Sequence, residues 1–398
     1  MEKYDVVVVG LGPGGASTLY KLASYGIKVL GIDRRREIGV PIQCGEFIPQ
    51  YHEYSKILPE VEEPYLEIFK KMPMKLVSNE TKSVSVFTPS GKEYSVNFDG
   101  YVIDREAFDK WIVKEAVDRG ADVMINTVVY KLDRDGTVYA RGKMGNFEVK
   151  GEVVVIAAGT SSTLLEQVGL FREVDEMNLG HVINYQMAGV DSDPSVVEMY
   201  TGKDYSPGAY AWIIPKGDGV ANVGLGIRYP YVDGEKDINV YMERFWRMHP
   251  IASKKLERAQ PLSYVGGLVP VGPPPDKTVS GRFLSVGDAA NHNIASLGAG
   301  IVTSSIAGIA AGETVSKYFA GEVGLEYYED LWRKLLGRAL DNGYKLRLVV
   351  DLITKDDRYT DLFMELVGKD RIYDLVYTKA PSNVDLLKIA LNVVKGQV

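Results

Sequence analysis

The 398-residue sequence predicts an α/β chain, in which a lobe with a doubly wound parallel sheet is interleaved with an antiparallel-sheet lobe and followed by C-terminal helices. Three observations carry that expectation. A β-branched run enters a glycine-rich turn and a helix at the N-terminus, short alternating strands crowd the middle, and the chain beyond about Gly324 turns helical and charged. At this length a single core stops growing, so two or more lobes are expected.

The first unit is the clearest. Asp5-Val6-Val7-Val8-Val9 has the β-branched density of a buried parallel strand. Gly10-Leu11-Gly12-Pro13-Gly14-Gly15 follows, then a helix from about Ala16 to Tyr25, a stop at Gly26, and a strand from Lys28 to Asp33. Strand, G-x-G-x-x-G, helix, strand and acid, in that order, form a Rossmann-like dinucleotide-binding fingerprint. Gly10 permits the tight turn, Gly12 lets the backbone approach a pyrophosphate, and Gly15 lets helix and strand pack. The helix N-terminus, which holds Gly14, adds free N–H groups and a partial positive charge. Asp33 is placed to accept hydrogen bonds from ribose hydroxyls. Arg34-Arg35-Arg36 behind it reads as a solvated loop rather than a 2′-phosphate site.

The same lobe continues further along. Arg105 to Gly120 reads as an amphipathic helix before a strand, and Glu152 to Ser162 as a buried strand running into a glycine turn. Far downstream, a strand leads to Gly287-Asp288, a glycine-rich loop through Gly300-Ile301, and a small-residue helix. An NAD-binding lobe ends sooner; this distant closing segment suits FAD, which is long enough to be gripped at both ends. Residues 1–75, 99–165 and 265–323 are therefore assigned to an FAD-binding domain. A hairpin turning at Pro89-Ser90-Gly91-Lys92 and the strands near His181, Val196, Ala211 and Val220 give an antiparallel substrate-binding domain, residues 76–98 and 166–264. Residues 324–398 form a C-terminal helical region.

Composition removes several function classes. A net charge of −7 offers no broad basic field for nucleic acid. The single cysteine, Cys44, excludes an internal disulfide framework and a cysteine-based metal cluster, and the four histidines show no ligand spacing, so no metal is expected. The N-terminus lacks the apolar core of a signal peptide. The uncharged run from Ala289 to Gly312 holds Asn291, His292, Asn293 and several hydroxyl residues, too polar to span a bilayer. A cytoplasmic protein is expected.

Four segments now stand in order: the first glycine turn, Cys44-Gly45-Glu46, Tyr210 to Gly226, and Gly287-Asp288-Ala289-Ala290 leading to Gly300-Ile301. Together they resemble the archaeal geranylgeranyl reductase family, within the flavoprotein group built like p-hydroxybenzoate hydroxylase, over roughly residues 1–320. Tyr210, Trp212, Pro215, Lys216, Gly217, Asn222, Val223, Gly224 and Gly226 match that family's ligand-site pattern, with Ile214 where phenylalanine is usual. Ile294-Ala295 and Gly298-Ala299-Gly300 depart from the family's proline and triple glycine, and the segment at Ala157 to Ser162 lacks the frequent Asp-Gly pair.

The resemblance implies FAD and the reduction of isolated double bonds in a geranylgeranyl chain carried by a lipid or a diphosphate. It implies electrons from NAD(P)H or a ferredoxin-like protein, since no second G-x-G-x-x-G supplies an NAD(P)H domain. A lipid substrate also implies peripheral contact with a membrane. The resemblance places Cys44 at the flavin's reactive side, to donate the proton or position the alkene, with Glu46 as the backup acid; the structural alternative is that Gly45 gives backbone room for the flavin and Cys44 only fills space. The resemblance puts Arg105 at the cofactor's phosphate or ribose, the alternative being a solvated residue at a helix N-terminus, and Gly287, Asp288, Gly300 and Ile301 at the flavin end. Tyr210, Trp212 and Pro215 are expected to wall a lipid tunnel. Two other readings stay open: an FAD-dependent monooxygenase acting on an aromatic or lipid substrate, and a non-catalytic flavin or lipid carrier.

Overall fold

A computed structural model describes residues 2–160, 163–170, 175–377 and 383–396, so Ser161 and Ser162 of the expected glycine turn lie outside the described residues. The valine run forms the middle of a parallel sheet. Strand β1 (Glu2–Val9) lies between β2 (Val29–Ile32) and β9 (Gly145–Ile156), and Val6, Val7 and Val8 are fully buried. β6 (Asp122–Met124) pairs with β2 and β16 (Phe283–Ser285) with β9, both in parallel. The hairpin β7–β8 (Val128–Leu132, Thr137–Gly142) and the short β15 (Val279–Ser280) complete eight strands. The topology brings the first glycine turn and the segment after β16 to the same end of the sheet, where doubly wound folds bind ligands.

The second sheet also has eight strands. From edge to edge these are β14 (Gln260–Pro270), β10 (Leu179–Ala188), β13 (Val220–Ile227), β12 (Ala211–Gly217), β11 (Val196–Tyr200), β4 (Val77–Phe87), β5 (Glu93–Ile103) and β3 (Phe47–Pro49). It differs from expectation in two ways. β11 runs parallel to β4, so the sheet is mixed. Both edge strands, β3 and most of β14, fall in ranges assigned to the flavin domain yet pair here. Local sequence marks a strand but not its partner, and these partners are remote in the chain.

Two helices hold the flavin lobe together by close backbone approach. Pro13–Ser24 packs on Ile301–Phe319, where a Cβ built on Gly308 would lie 2.2 Å from the Gly14 carbonyl oxygen. The uncharged run thus resolves into a loop, buried through Ala295 and exposed at Gly298 and Ala299, and this packed helix. Among the described residues no helix is long and apolar enough to cross a membrane.

The C-terminal region is part of the body. Its first helix, Tyr327–Ile353, lies along the flavin lobe: the Tyr328 hydroxyl donates to Ser285 O at 3.1 Å, and Trp332 Nε1 to Thr278 Oγ1 at 2.9 Å. Near its end, Asp351 is ion-paired to Arg347 at 3.1 Å and to the buried Arg228 after β13, clamping this helix to the second sheet. The helices Asp357–Val376 and Asn383–Lys395 follow, and their Phe363, Val367 and Leu386 join the main core.

Candidate active site

The glycine turn divides its work between packing and an open face. A Cβ on Gly10, whose φ is +95°, would lie 2.3 Å from Ala157 O, and one on Gly15 would lie 1.8 Å from Gly10 O. Both glycines are required by the protein's own backbone. Gly14 is held near Val286 and Ser304 by the facing helix. A Cβ on Gly12 would meet no atom within 4 Å. That open cradle beside a helix N-terminus fits a pyrophosphate. Asp33 is buried, and its carboxylate accepts from Leu11 N at 2.8 Å and Arg35 N at 2.8 Å, which locks the turn to the end of β2.

The closing segment comes to the same place. Gly300 precedes the helix that starts at Ile301, and its missing Cβ would lie 3.4 Å from Asp288 Oδ1. Gly287 takes φ +72°, and its N–H donates to His292 Nδ1 at 3.2 Å. His292 is fully buried against Trp332, ring centroids 4.8 Å apart, and burial pushes its pKa down to about 3. It is therefore a neutral structural acceptor. Asn293 Oδ1 and Thr160 Oγ1 are buried without a hydrogen-bond partner, as expected where a bound group completes the bonding. The departure at Ile294-Ala295 has a packing reason: a Cβ on Gly343 would lie 2.8 Å from Ile294 Cγ2 and 3.2 Å from Ala295 N. Gly343 of the long C-terminal helix braces this loop.

Residues 43–46 cross the face of the second sheet. Gln43 lies over Gly267 of β14, the Cys44 carbonyl accepts from Asn222 Nδ2 at 2.8 Å, and the space left by Gly45 is filled by Ile214 Cδ1. Gly45 thus makes room for the sheet. Glu46 sits at φ +63°, an unfavourable backbone for a side-chain-bearing residue. What holds it there is its carboxylate, which accepts from Lys216 Nζ at 2.6 Å, Asn222 Nδ2 at 3.2 Å and Arg105 N at 3.3 Å. Glu46 is 1% exposed, and with three donors on its carboxylate it serves as an anchor rather than as a second acid. Removing one partner of such a buried pair costs about 3–5 kcal/mol.

Asn222 is the hub. It is fully buried, and besides donating to Cys44 O and Glu46 Oε2 it accepts from Trp212 Nε1 at 2.9 Å. Tyr210 and Trp212 share a face as their spacing predicts, with ring centroids 5.9 Å apart, and the Tyr210 hydroxyl donates to Leu297 O at 2.5 Å. Burial, with the neighbouring Cys44, pushes the Tyr210 pKa up to about 12. Pro215 does not join them. Alternation puts it with Ala211 and Ile213, and its carbonyl accepts from Asn79 at the bulge ending β12, while Ile214 takes the face with Trp212. Lys216 and Asn222 stood in the sequence pattern without a role; the structure gives them one.

Cys44 is half-buried, and its sulfur accepts from Glu46 N at 3.2 Å. Burial pushes its thiol pKa up, while the Arg105 guanidinium nearby pulls it down. Arg105 is gripped by the fully buried Asp109 through two bonds of 3.1 and 2.9 Å. Burial opposes the charge on Arg105, but Asp109 and Cys44 hold its pKa above the ordinary value. The site therefore offers an un-ionised thiol beside a fixed cation and an aromatic wall.

The family model of the geranylgeranyl reductase catalytic domain matches residues 179–269. A digeranylgeranylglycerophospholipid reductase from Methanocaldococcus jannaschii is 33% identical over 97% of this chain and 98% of its own. A second, from Methanopyrus kandleri, is 30% identical over 98% and 96%. Among solved structures, a geranylgeranyl bacteriochlorophyll reductase-like protein from Thermoplasma acidophilum superposes with a TM-score of 0.83 at 26% identity, covering 98% of this chain and 100% of that one. A flavin-dependent brominase shares the fold alone, with a TM-score of 0.72 at 17% identity over 99% of each chain. Fold and site thus define an FAD-dependent oxidoreductase. More narrowly, the chain belongs to the geranylgeranyl reductase family.

Proposed function

We propose that this protein hydrogenates the C=C bonds of geranylgeranyl chains in archaeal membrane lipid or a related isoprenoid precursor, with Cys44 as the proton donor. The observation that carries the role of Cys44 is its place: an un-ionised thiol on a segment crossing the sheet beside Tyr210 and Trp212. FAD is held by Gly10, Gly12, Gly14, Gly15 and Asp33 at the first turn and by Gly287, Asp288, Gly300 and Ile301 at the closing segment; when reduced, it supplies hydride. An isolated alkene has no carbonyl to stabilise developing charge, so a proton must reach the second carbon in concert.

The chain's residues meet that need. A neutral thiol is cheaper to keep in an apolar cavity than a carboxylate. Once its proton is given up, the thiolate lies beside Arg105 and still accepts from Glu46 N–H. Asp109 fixes Arg105, and the Glu46–Lys216–Asn222 network fixes the segment that bears the thiol. Tyr210 and Trp212 wall the prenyl chain and exclude water. NAD(P)H docking on the flavin, or a ferredoxin-like protein, provides the electrons. A substrate of this kind also brings the protein to a membrane surface.

The test is Cys44→Ser with its FAD content verified. A fall of about a hundredfold or more in prenyl-chain reduction is expected, in the range of a lost general acid. Wild-type rate with normal FAD binding would end the proton-donor role.

A further inference from the structure

Each turnover of the proposed reaction takes a proton from Cys44, and the groups around that thiol are poorly placed to return one. The Glu46 carboxylate accepts from three donors and is held as an anchor. Arg105 is gripped by Asp109, and a guanidinium keeps its protons. The Tyr210 hydroxyl is committed to Leu297 O at 2.5 Å, and burial pushes its pKa up to about 12. The proton has to come from solvent, by way of water.

The sheet beneath the cysteine segment carries a polar group suited to hold that water. Asn184 of β10 stands opposite Gly224 of β13, which stands opposite Trp212 of β12, so the three share a face. The Trp212 ring lies across Gly224, where a Cβ would be 2.3 Å from its Cζ2. β10 runs between β14 and β13, and the segment crosses it there. Gln43 lies over Gly267 of β14, opposite Val182, while Cys44 O is bonded to Asn222 of β13, opposite Gln186. Asn184 falls between those two rows, under the crossing.

Asn184 is 4% exposed, yet its Oδ1 has no hydrogen-bond partner. Buried acceptors are normally satisfied, so a bare one marks a donor that binds there. A prenyl chain has no N–H or O–H to offer, and Gly224 and Val265, which flank Asn184 across the sheet, have no polar side chain. Gln43, at the outer side of the crossing, is exposed, so its amide meets solvent.

We infer that Asn184, together with the Gln43 amide, holds a water that returns a solvent proton to the Cys44 thiolate after each double bond is reduced. The water gives one hydrogen to Asn184 Oδ1 and the other to sulfur, while Gln43 Nε2 donates to its oxygen. An O–H bond breaks and an S–H bond forms. The hydroxide left takes a proton from the next water outward, so one solvent proton is consumed per bond and no electrons move. Asn184 is thus a positioning residue. The inference rests on the reductase reading and on Cys44 as its proton donor.

The experiment uses the full-length, FAD-loaded protein, reduced chemically without oxygen, and a geranylgeranyl phospholipid. Flavin reoxidation reports the first turnover, which uses the proton already on Cys44. With dithionite in excess, mass spectrometry of the lipid reports the later ones. In Asn184→Leu the first turnover is expected at the parent's rate and the later ones at least about tenfold slower, regained as imidazole is added to carry the proton. Gln43→Leu, at an exposed position, should show the same split even if Asn184→Leu retains FAD poorly. Later turnovers at the parent's rate in both variants overturn the inference, as does a first turnover that falls as far as the later ones. An Asn184→Leu protein short of FAD beside a parent-like Gln43→Leu also overturns it, and gives Asn184 to the cofactor. A parent with no first turnover is a failure of the reductase reading itself, whereas a parent that turns over beside variants without the split fails this inference alone.

Discussion

Replacing Asn222 by alanine removes the hub that joins the cysteine-bearing segment to the aromatic wall. Three bonds are lost, to Trp212 Nε1, Cys44 O and Glu46 Oε2, at 2.9, 2.8 and 3.2 Å. Glu46 keeps Lys216, but the Trp212 N–H and the Cys44 carbonyl lose their partner at a fully buried position. An orphaned buried polar group costs about 1–3 kcal/mol, so the two together cost about 2–6 kcal/mol. Urea unfolding of the FAD-loaded proteins measures that loss. Because the segment loses its anchor, prenyl reduction should fall more steeply than FAD content does. An Asn222→Ala protein that unfolds with the parent and reduces at the parent's rate would refute the reasoning.

Other expectations follow from the same geometry. Gly308→Ala places a methyl 2.2 Å from the Gly14 carbonyl oxygen, forcing two helices apart; overpacking of about 1–3 kcal/mol outweighs a helix-propensity gain near 1 kcal/mol, so calorimetry should show a lower Tm and dialysis a faster loss of FAD. Gly343→Ala presses on Ile294 and Ala295, and should weaken flavin retention more than it lowers the urea midpoint. His292, held neutral by burial with its pKa lowered to about 3, stays unprotonated in the native state while the unfolded chain takes up its proton below about 6.5. Stability should therefore fall as pH drops from about 6.5 towards 3, by up to about 1.4 kcal/mol per pH unit from this group, and His292→Asn should flatten that slope in urea titrations. The Cys44 thiol, raised by burial, should stay protonated through neutral pH, so the reduction rate should decline only above the ordinary thiol range. That alkaline limb should be absent in Cys44→Ser.

What the sequence revealed depended on how local each constraint was. The first turn was legible because the demands on Gly10, Gly12 and Gly15 are set within one βαβ unit. Tyr210 and Trp212 were legible through period two, and the same rule, followed one step further, separates Pro215 from them. The Glu46 anchor was not legible, since its partners Lys216 and Asn222 lie 170 and 176 residues away. The departure at Ile294-Ala295 was visible, but its cause was not: the contact is Gly343, on a helix whose pattern says only that it has a buried face. Pairing of β3 and β14 into the second sheet was hidden for the same reason.

The central claim is tested most directly without oxygen. The purified FAD protein is reduced chemically, mixed with a geranylgeranyl phospholipid, and followed by flavin absorbance while the lipid is examined by mass spectrometry. The account predicts reoxidation of the flavin matched by lipid that gains two mass units for each bond reduced. A flavin that stays reduced until oxygen is admitted, with every prenyl lipid and diphosphate tried left unchanged, would contradict it and favour a monooxygenase or a carrier on the same fold.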